Sequence, residues 1–127
     1  KVTLHGCAIQ KQGTKISIYR CFGKAPPPPI ALSTEIKWDN RWRCNLSDKD
    51  LTVSYLGMSD YIELKKDANF VKQSNKLNKN ILFTLPVVFY LEKVVAIPHI
   101  DYYNSGTFQD VFFVFEPNYT SRLIHFC

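Results

Sequence analysis

At 127 residues and 46% apolar content the chain is long enough to bury one core, and is expected to form one domain or little more. The 14% aromatic content is high, and scarce Ala beside plentiful Ile, Val, Phe and Tyr leans towards sheet. The net charge of +5 is uneven: residues 1–43 carry eight basic against two acidic side chains, residues 44–80 six against five, and residues 81–127 two against four. A basic front and a mildly acidic back suggest one face that meets an anion, nucleic acid first, against the plainer reading of a solubilising surface.

The chain opens on Lys1 with no charged-then-apolar leader, which predicts a piece of a longer protein. Val2–Ile9 and Lys15–Phe22 read as a hairpin turning over Lys11–Thr14, with Gly13 supplying positive φ. Pro26–Pro29 is expected to be extended polyproline II, as a stiff spacer in preference to an SH3 or WW ligand. Trp38-Asp-Asn-Arg-Trp-Arg43 then alternates aromatic and basic residues. Read as a strand, it puts Trp38, Asn40 and Trp42 on one face, and Asp39, Arg41 and Arg43 on the other. Either Arg41 and Arg43 form an edge offered to phosphates, or the tryptophans are core and the arginines pair with Asp39 or lie in solvent.

Leu51–Leu56 alternates and predicts a strand ended by Gly57. Ser59 is a plausible cap for a helix from Asp60 to about Phe70, with Tyr61, Leu64 and Ala68 on one stripe and Lys65 and Lys66 pointing away from it. Lys72–Asn80 is polar and Asn-rich, and reads either as a run whose lysines meet a polyanion or as a solvated loop. Ile81–Tyr103 is the longest apolar run, and its prolines and the pair Glu92–Lys93 argue against a membrane span. Pro86–Tyr90 and Lys93–Ile97 should form a core hairpin joined at Leu91–Glu92, with Pro98–His99 a structural turn. Val111–Phe115 is apolar on both faces and is expected to be buried on both sides, and Ser121–Cys127 to add a last short strand. The fold class is therefore α+β: a mainly antiparallel sheet or partly closed barrel with one or two helices between Asp60 and about Asn80.

No Gly-rich phosphate loop, G-x-S-x-G or H-E-x-x-H is present. His5, His99 and His125 are scattered, so no catalytic residue and no metal ligand is assigned. Cys7, Cys21, Cys44 and Cys127 form no C-x-x-C pair, which argues against a zinc ribbon. With the acceptor patterns at Asn45 and Asn118 they leave a secreted, disulfide-stapled interaction domain as the alternative to free thiols in a cytosolic protein.

Several runs in shared order, across nearly the whole chain, resemble the C-terminal part of tRNA(Ile)-lysidine synthetases of the rickettsial type. They are Thr3-Leu-His-Gly-Cys7, Ile18-Tyr-Arg20, Trp38-Asp-Asn-Arg41, Leu82-Phe-Thr-Leu-Pro86, Val95-Ala-Ile-Pro-His99 and Glu116-Pro-Asn118 with Ser121-Arg122. The resemblance implies a parent ligase that adenylates the wobble cytidine of an isoleucine tRNA and lets lysine displace AMP. ATP with magnesium and L-lysine would serve the parent, with no cofactor in this chain, because the family's Ser-Gly-Gly-x-Asp-Ser loop is absent from it. The implied partners are tRNA(Ile) and the N-terminal catalytic domain of the same protein, in the cytoplasm and without a membrane.

Residues 1–127 would then be a single substrate-holding domain: hairpin 1–23, spacer 24–30 and sheet-plus-helix body 31–127. The candidate RNA contacts are Arg20, Arg41, Arg43, Lys65, Lys66 and Arg122. Arg41 and Arg122 lie in matched runs, while the two lysines rest on charge and expected exposure. Many family members carry a Lys-Lys or Arg-rich run before the segment matching Leu82–Pro86. Here the looser Lys72–Asn80 tract stands in its place.

Overall fold

The β-branched and aromatic composition is realised as three antiparallel sheets in the computed structural model, which describes residues 2–4, 7–20 and 26–117. Strands β1 (Val2–Leu4), β2 (Cys7–Gln12) and β3 (Lys15–Arg20) form a meander. Gln12 pairs with Lys15 across a two-residue turn, where Gly13 takes φ 62°. The N-terminal hairpin expected over Val2–Phe22 is thus three strands instead of two. Pro26–Pro28 line a groove of about 410 Å³ together with Ile36, Trp38 and Asn40.

The body is a five-stranded sheet in the order β4 (Ile30–Leu32), β6 (Asp48–Ser54), β7 (Val87–Tyr90), β8 (Lys93–Ile97) and β9 (Tyr102–Tyr103). A two-stranded sheet pairs β5 (Trp42–Cys44) with β10 (Phe113–Phe115). Helices α1 (Met58–Leu64), α2 (Ala68–Ser74) and α3 (Lys79–Leu82) fill the connection from β6 to β7. The α+β class stands, and among the described residues no sheet closes into a barrel.

Register shows what lies on each side of the large sheet. Val53, Val88, Ala96 and Tyr103 are directly paired and share one face, while Tyr102 points to the other. The Tyr102 hydroxyl donates to Asp67 Oδ2 at 2.8 Å and its ring meets Phe70 edge-on, so α2 covers that face. The Tyr103 hydroxyl donates to the Val111 carbonyl at 3.2 Å, which brings the segment leading into β10 to the opposite face. The large sheet is therefore the middle layer; Val87, Val88, Ala96 and Ile97 at its centre are fully buried, as is Phe70 of α2 packed on it.

The central hairpin forms as expected, with Leu91 and Glu92 at its tip and Pro98–Ile100 in a 3-10 turn. Four expectations fail, each for a local reason. The helix from Asp60 breaks at Lys65–Asp67, because Asp67 is extended (φ −95°, ψ 115°) and its Oδ1 caps α2 by accepting from the N–H of Asn69 and Phe70. Gly57 precedes α1 in place of Ser59, with its N–H on Asp60 Oδ2. The polar tract after it holds the end of α2 and the start of α3, where the Asn78 side chain accepts from Asn80 N–H at 2.8 Å. Strand β10 has β5 as its partner and is half open: Phe112, Val114 and Phe115 are exposed, not buried on both sides. The strand expected over 121–127 lies outside the described residues.

Candidate nucleic-acid interface

The most distinctive run, Trp38–Arg43, is a tight turn leading into β5 and not one strand. Asp39 (φ 52°) and Asn40 (φ 55°) take left-handed conformations that short polar side chains tolerate. The chain doubles back so that Trp38 and Trp42 exchange backbone hydrogen bonds at 2.8 and 3.1 Å. Both indoles are buried, at 2% and 6% exposure.

Arg41 follows its neighbours inwards. Its guanidinium meets the Asp39 carboxylate at 2.9 Å and donates to the Thr84 carbonyl at 3.1 Å, with both side chains of the pair nearly enclosed. Arg43 reaches the Glu116 carboxylate at 2.6 Å and the Thr34 carbonyl at 2.7 Å. The expected phosphate-binding edge is therefore the bland alternative for Arg41: tryptophans in the core and an arginine paired to Asp39. Both guanidiniums tie distant segments together. His99 lies edge-on to Trp42, with ring centroids 5.4 Å apart, and desolvation lowers its pKa, which favours the neutral imidazole.

Exposed cations gather instead over the helices. Lys65 and Lys79 both stand over the Tyr61 ring, at 5.4 and 4.9 Å from its centroid, and Lys79 also approaches Phe83 at 5.9 Å. Tyr61 and Phe83 meet edge-on at 5.2 Å and are half-buried, so the rings form a platform beneath the exposed ammonium groups. Lys66 is exposed and pairs weakly with Glu63 at 3.2 Å, three-quarters open to solvent. The N-terminal sheet adjoins this face: α3 contacts β3, and Gln10 Oε1 accepts from the amides of Asn78 and Asn80 at 3.5 and 3.4 Å.

Of the sequence candidates, then, Lys65 and Lys66 are both exposed, Lys65 over Tyr61 and Lys66 beside Glu63, whereas Arg41 and Arg43 are engaged elsewhere. Arg20 ends β3, its side chain lying outside the described residues, as does all of Arg122. Lys79 was not singled out, because it sits in the tract whose lysines read either as meeting a polyanion or as lying in a solvated loop. The Asn78 cap two residues before Asn80 was the available signal.

The face depends on the Asp67 junction below it. The Tyr102 hydrogen bond, with help from the α2 backbone, holds the Asp67 carboxyl below its ordinary pKa, while burial and the same bond push the Tyr102 phenol up. A depressed carboxyl stabilises the fold above its unfolded value near 3.9 and loses that contribution as pH falls through the folded value. Asp67→Asn keeps the helix cap but gives the Tyr102 hydroxyl a neutral acceptor in place of a charged one, and is expected to cost about 1 kcal/mol at pH 7. Its melting temperatures should converge on those of the parent chain between pH 4 and 2, as thermal melts across that range would show. A constant gap down to pH 2 would mean that the carboxylate charge is not involved.

Among the described residues, no group of three or more His, Cys, Asp or Glu side chains could hold a metal ion. No described helix is long and apolar enough to cross a membrane. Cys44 is a buried free thiol, pushed up in pKa by burial and hence unreactive.

No family model and no solved structure matches the chain. Relatives do. The chain is 44% identical over its whole length to the tRNA(Ile)-lysidine synthase of Rickettsia akari, of which it spans 31%. It is 42% identical, again over its whole length, to that of Rickettsia prowazekii, spanning 31% of it. Over 98% of its length it is 42% identical to that of Orientia tsutsugamushi, spanning 30% of it. The chain thus spans about a third of the curated relatives it matches, and along nearly all of its length it is similar to one region of the tRNA(Ile)-lysidine synthases.

Proposed function

We propose that this chain is the C-terminal, tRNA-holding portion of a cytoplasmic tRNA(Ile)-lysidine synthase. The match along its entire length to synthases of that name carries the reading. The parent enzyme would use ATP with magnesium and L-lysine to convert the wobble cytidine of tRNA(Ile) to lysidine. The chemistry would reside in a preceding catalytic domain, with residues 1–127 as a single substrate-binding unit.

Lys65, Lys66 and Lys79 are the proposed phosphate contacts, with Arg20 and Arg122 retained from the sequence. Ammonium groups on exposed stems suit a phosphate backbone: they position an RNA without reading its bases. Arg43 would add at most a peripheral contact, and Arg41 acts through the fold.

Binding of this protein to tRNA(Ile) should weaken steeply with added salt. The triple variant Lys65→Ala, Lys66→Ala, Lys79→Ala should lower affinity at least tenfold at low salt and flatten the log–log salt slope by roughly 0.7–0.9 per lost contact. A filter-binding series from 50 to 300 mM salt measures both. An unchanged slope would remove these lysines from the interface. A complete parent protein that binds no tRNA(Ile) at 50 mM salt would remove the function.

A further inference from the structure

The tip of the β7–β8 hairpin is built against its own turn chemistry. A two-residue loop of this kind needs positive φ at both positions, and Leu91 (49°) and Glu92 (65°) adopt it where Asn-Gly would do so at little cost. Leu91 is also 76% exposed, the most of any large apolar side chain described. Strain and an exposed apolar group at one point are a pairing that persists where a surface is used.

Leu91 stands between two depressions. One, of about 440 Å³, is lined by Thr52, Ser54, Phe89, Asp60 and Glu92. The other, of about 430 Å³, is lined by Tyr90, Lys93, Val95 and Phe108. The first brings two carboxylates, the hydroxyl-bearing side chains of Thr52, Ser54 and Tyr55, and the Phe89 ring to one depression. Carboxylates there repel an RNA backbone, so this edge and the lysine face call for different partners.

We propose that this tip is where the chain docks on the rest of its own polypeptide, on a segment that receives Leu91 in an apolar pocket and sets a Lys or Arg against Glu92 and Asp60. The inference rests on the reading of the chain as one region of a lysidine synthase. The relatives carry more than two thirds of their length outside the matched region, so a covalently attached protein surface is close at hand.

The test uses the complete polypeptide that carries this chain, with photoreactive benzoylphenylalanine in place of Tyr90, an exposed neighbour of the tip. Irradiation should join position 90 to a peptide outside these 127 residues. Adding Leu91→Asn with Glu92→Gly should cut that yield about tenfold, the loss of a modest hot spot. In the 127-residue chain alone the same double substitution should raise the melting temperature by about 4 °C or more, because it relieves the turn. A merely structural tip would gain stability and lose nothing.

A cross-link to RNA, to a second copy or to nothing overturns the docking, as does an unchanged yield in the double variant. Lysidine formation by the same protein separates the two readings. A cross-link without lysidine keeps the docking and removes the function; lysidine without a cross-link does the reverse.

Discussion

Arg41→Ala is expected to destabilise this domain severely, and to weaken the proposed RNA binding for that reason alone. The substitution leaves the Asp39 carboxylate, 5% exposed, without its guanidinium, and removes the bond to the Thr84 carbonyl. Breaking a buried pair by deleting one partner costs about 3–5 kcal/mol, much of it the penalty of the charge left behind. Total stabilities of domains this size are about 5–15 kcal/mol, so a large share is lost. Urea unfolding should show the midpoint falling by more than 1 M at an m-value of roughly 1–3 kcal/mol/M. Asp39→Asn with Arg41→Met, which removes both charges, should recover part of the loss. A wild-type midpoint for Arg41→Ala would show that the pair is dispensable, and would return Arg41 to the list of RNA contacts.

Phe70→Ala should be comparably severe, at about 3–5 kcal/mol. Phe70 is completely buried and joins three elements: it meets Tyr61 of α1 at 6.1 Å and Tyr102 of β9 at 5.5 Å, both edge-on. The cavity would release α2 from the sheet and, through Tyr61, the platform under Lys65 and Lys79. Stability and RNA affinity should therefore fall together, whereas the lysine substitutions should lower affinity and leave the melting temperature within a degree or two. A Phe70→Ala protein with its affinity intact would show that the lysines do not need the platform. Phe70→Leu, which keeps most of the volume, should cost far less.

The central hairpin was legible because its signals are local and agree: β-branched runs, prolines at the ends and a charged pair at the turn. The helical break was not, because Asp67 suits a solvated helix face as well as a cap, and the 3.6-residue period does not change across it. The Trp38–Arg43 turn was hidden by an alternation that suits a strand equally well. What betrays it is Asp39-Asn40, the two residues most tolerant of left-handed backbone after glycine. The run Val111–Phe115 misled in the opposite sense: its composition promised two covered faces, but a short strand with one partner leaves its outer side open.

At the candidate site, the exposure of Lys65 and Lys66 followed from the helix stripe. The pairing of Arg41 with Asp39 was one of the two readings the run left open, but its bond to Thr84 and the pairing of Arg43 with Glu116 were not legible, because those partners lie far along the chain. No short-range pattern reports such pairings.

The hairpin carries one irregularity whose effect reaches further. Val88 pairs with Ala96 but Phe89 pairs with Val94, so Val95 is an extra residue on β8. Up to Val94 the strand follows one odd–even rule, and from Ala96 onward it follows the opposite one. Val95 is a residue that the ladder does not count: with or without it, Tyr102 is read by the helices and Tyr103 by the segment leading into the small sheet. Counted that way, deleting Val95 is a length change that keeps every later side chain on its own side. A one-residue deletion between Ala96 and Tyr102 would instead exchange the two tyrosines, and with them the two layers each one holds.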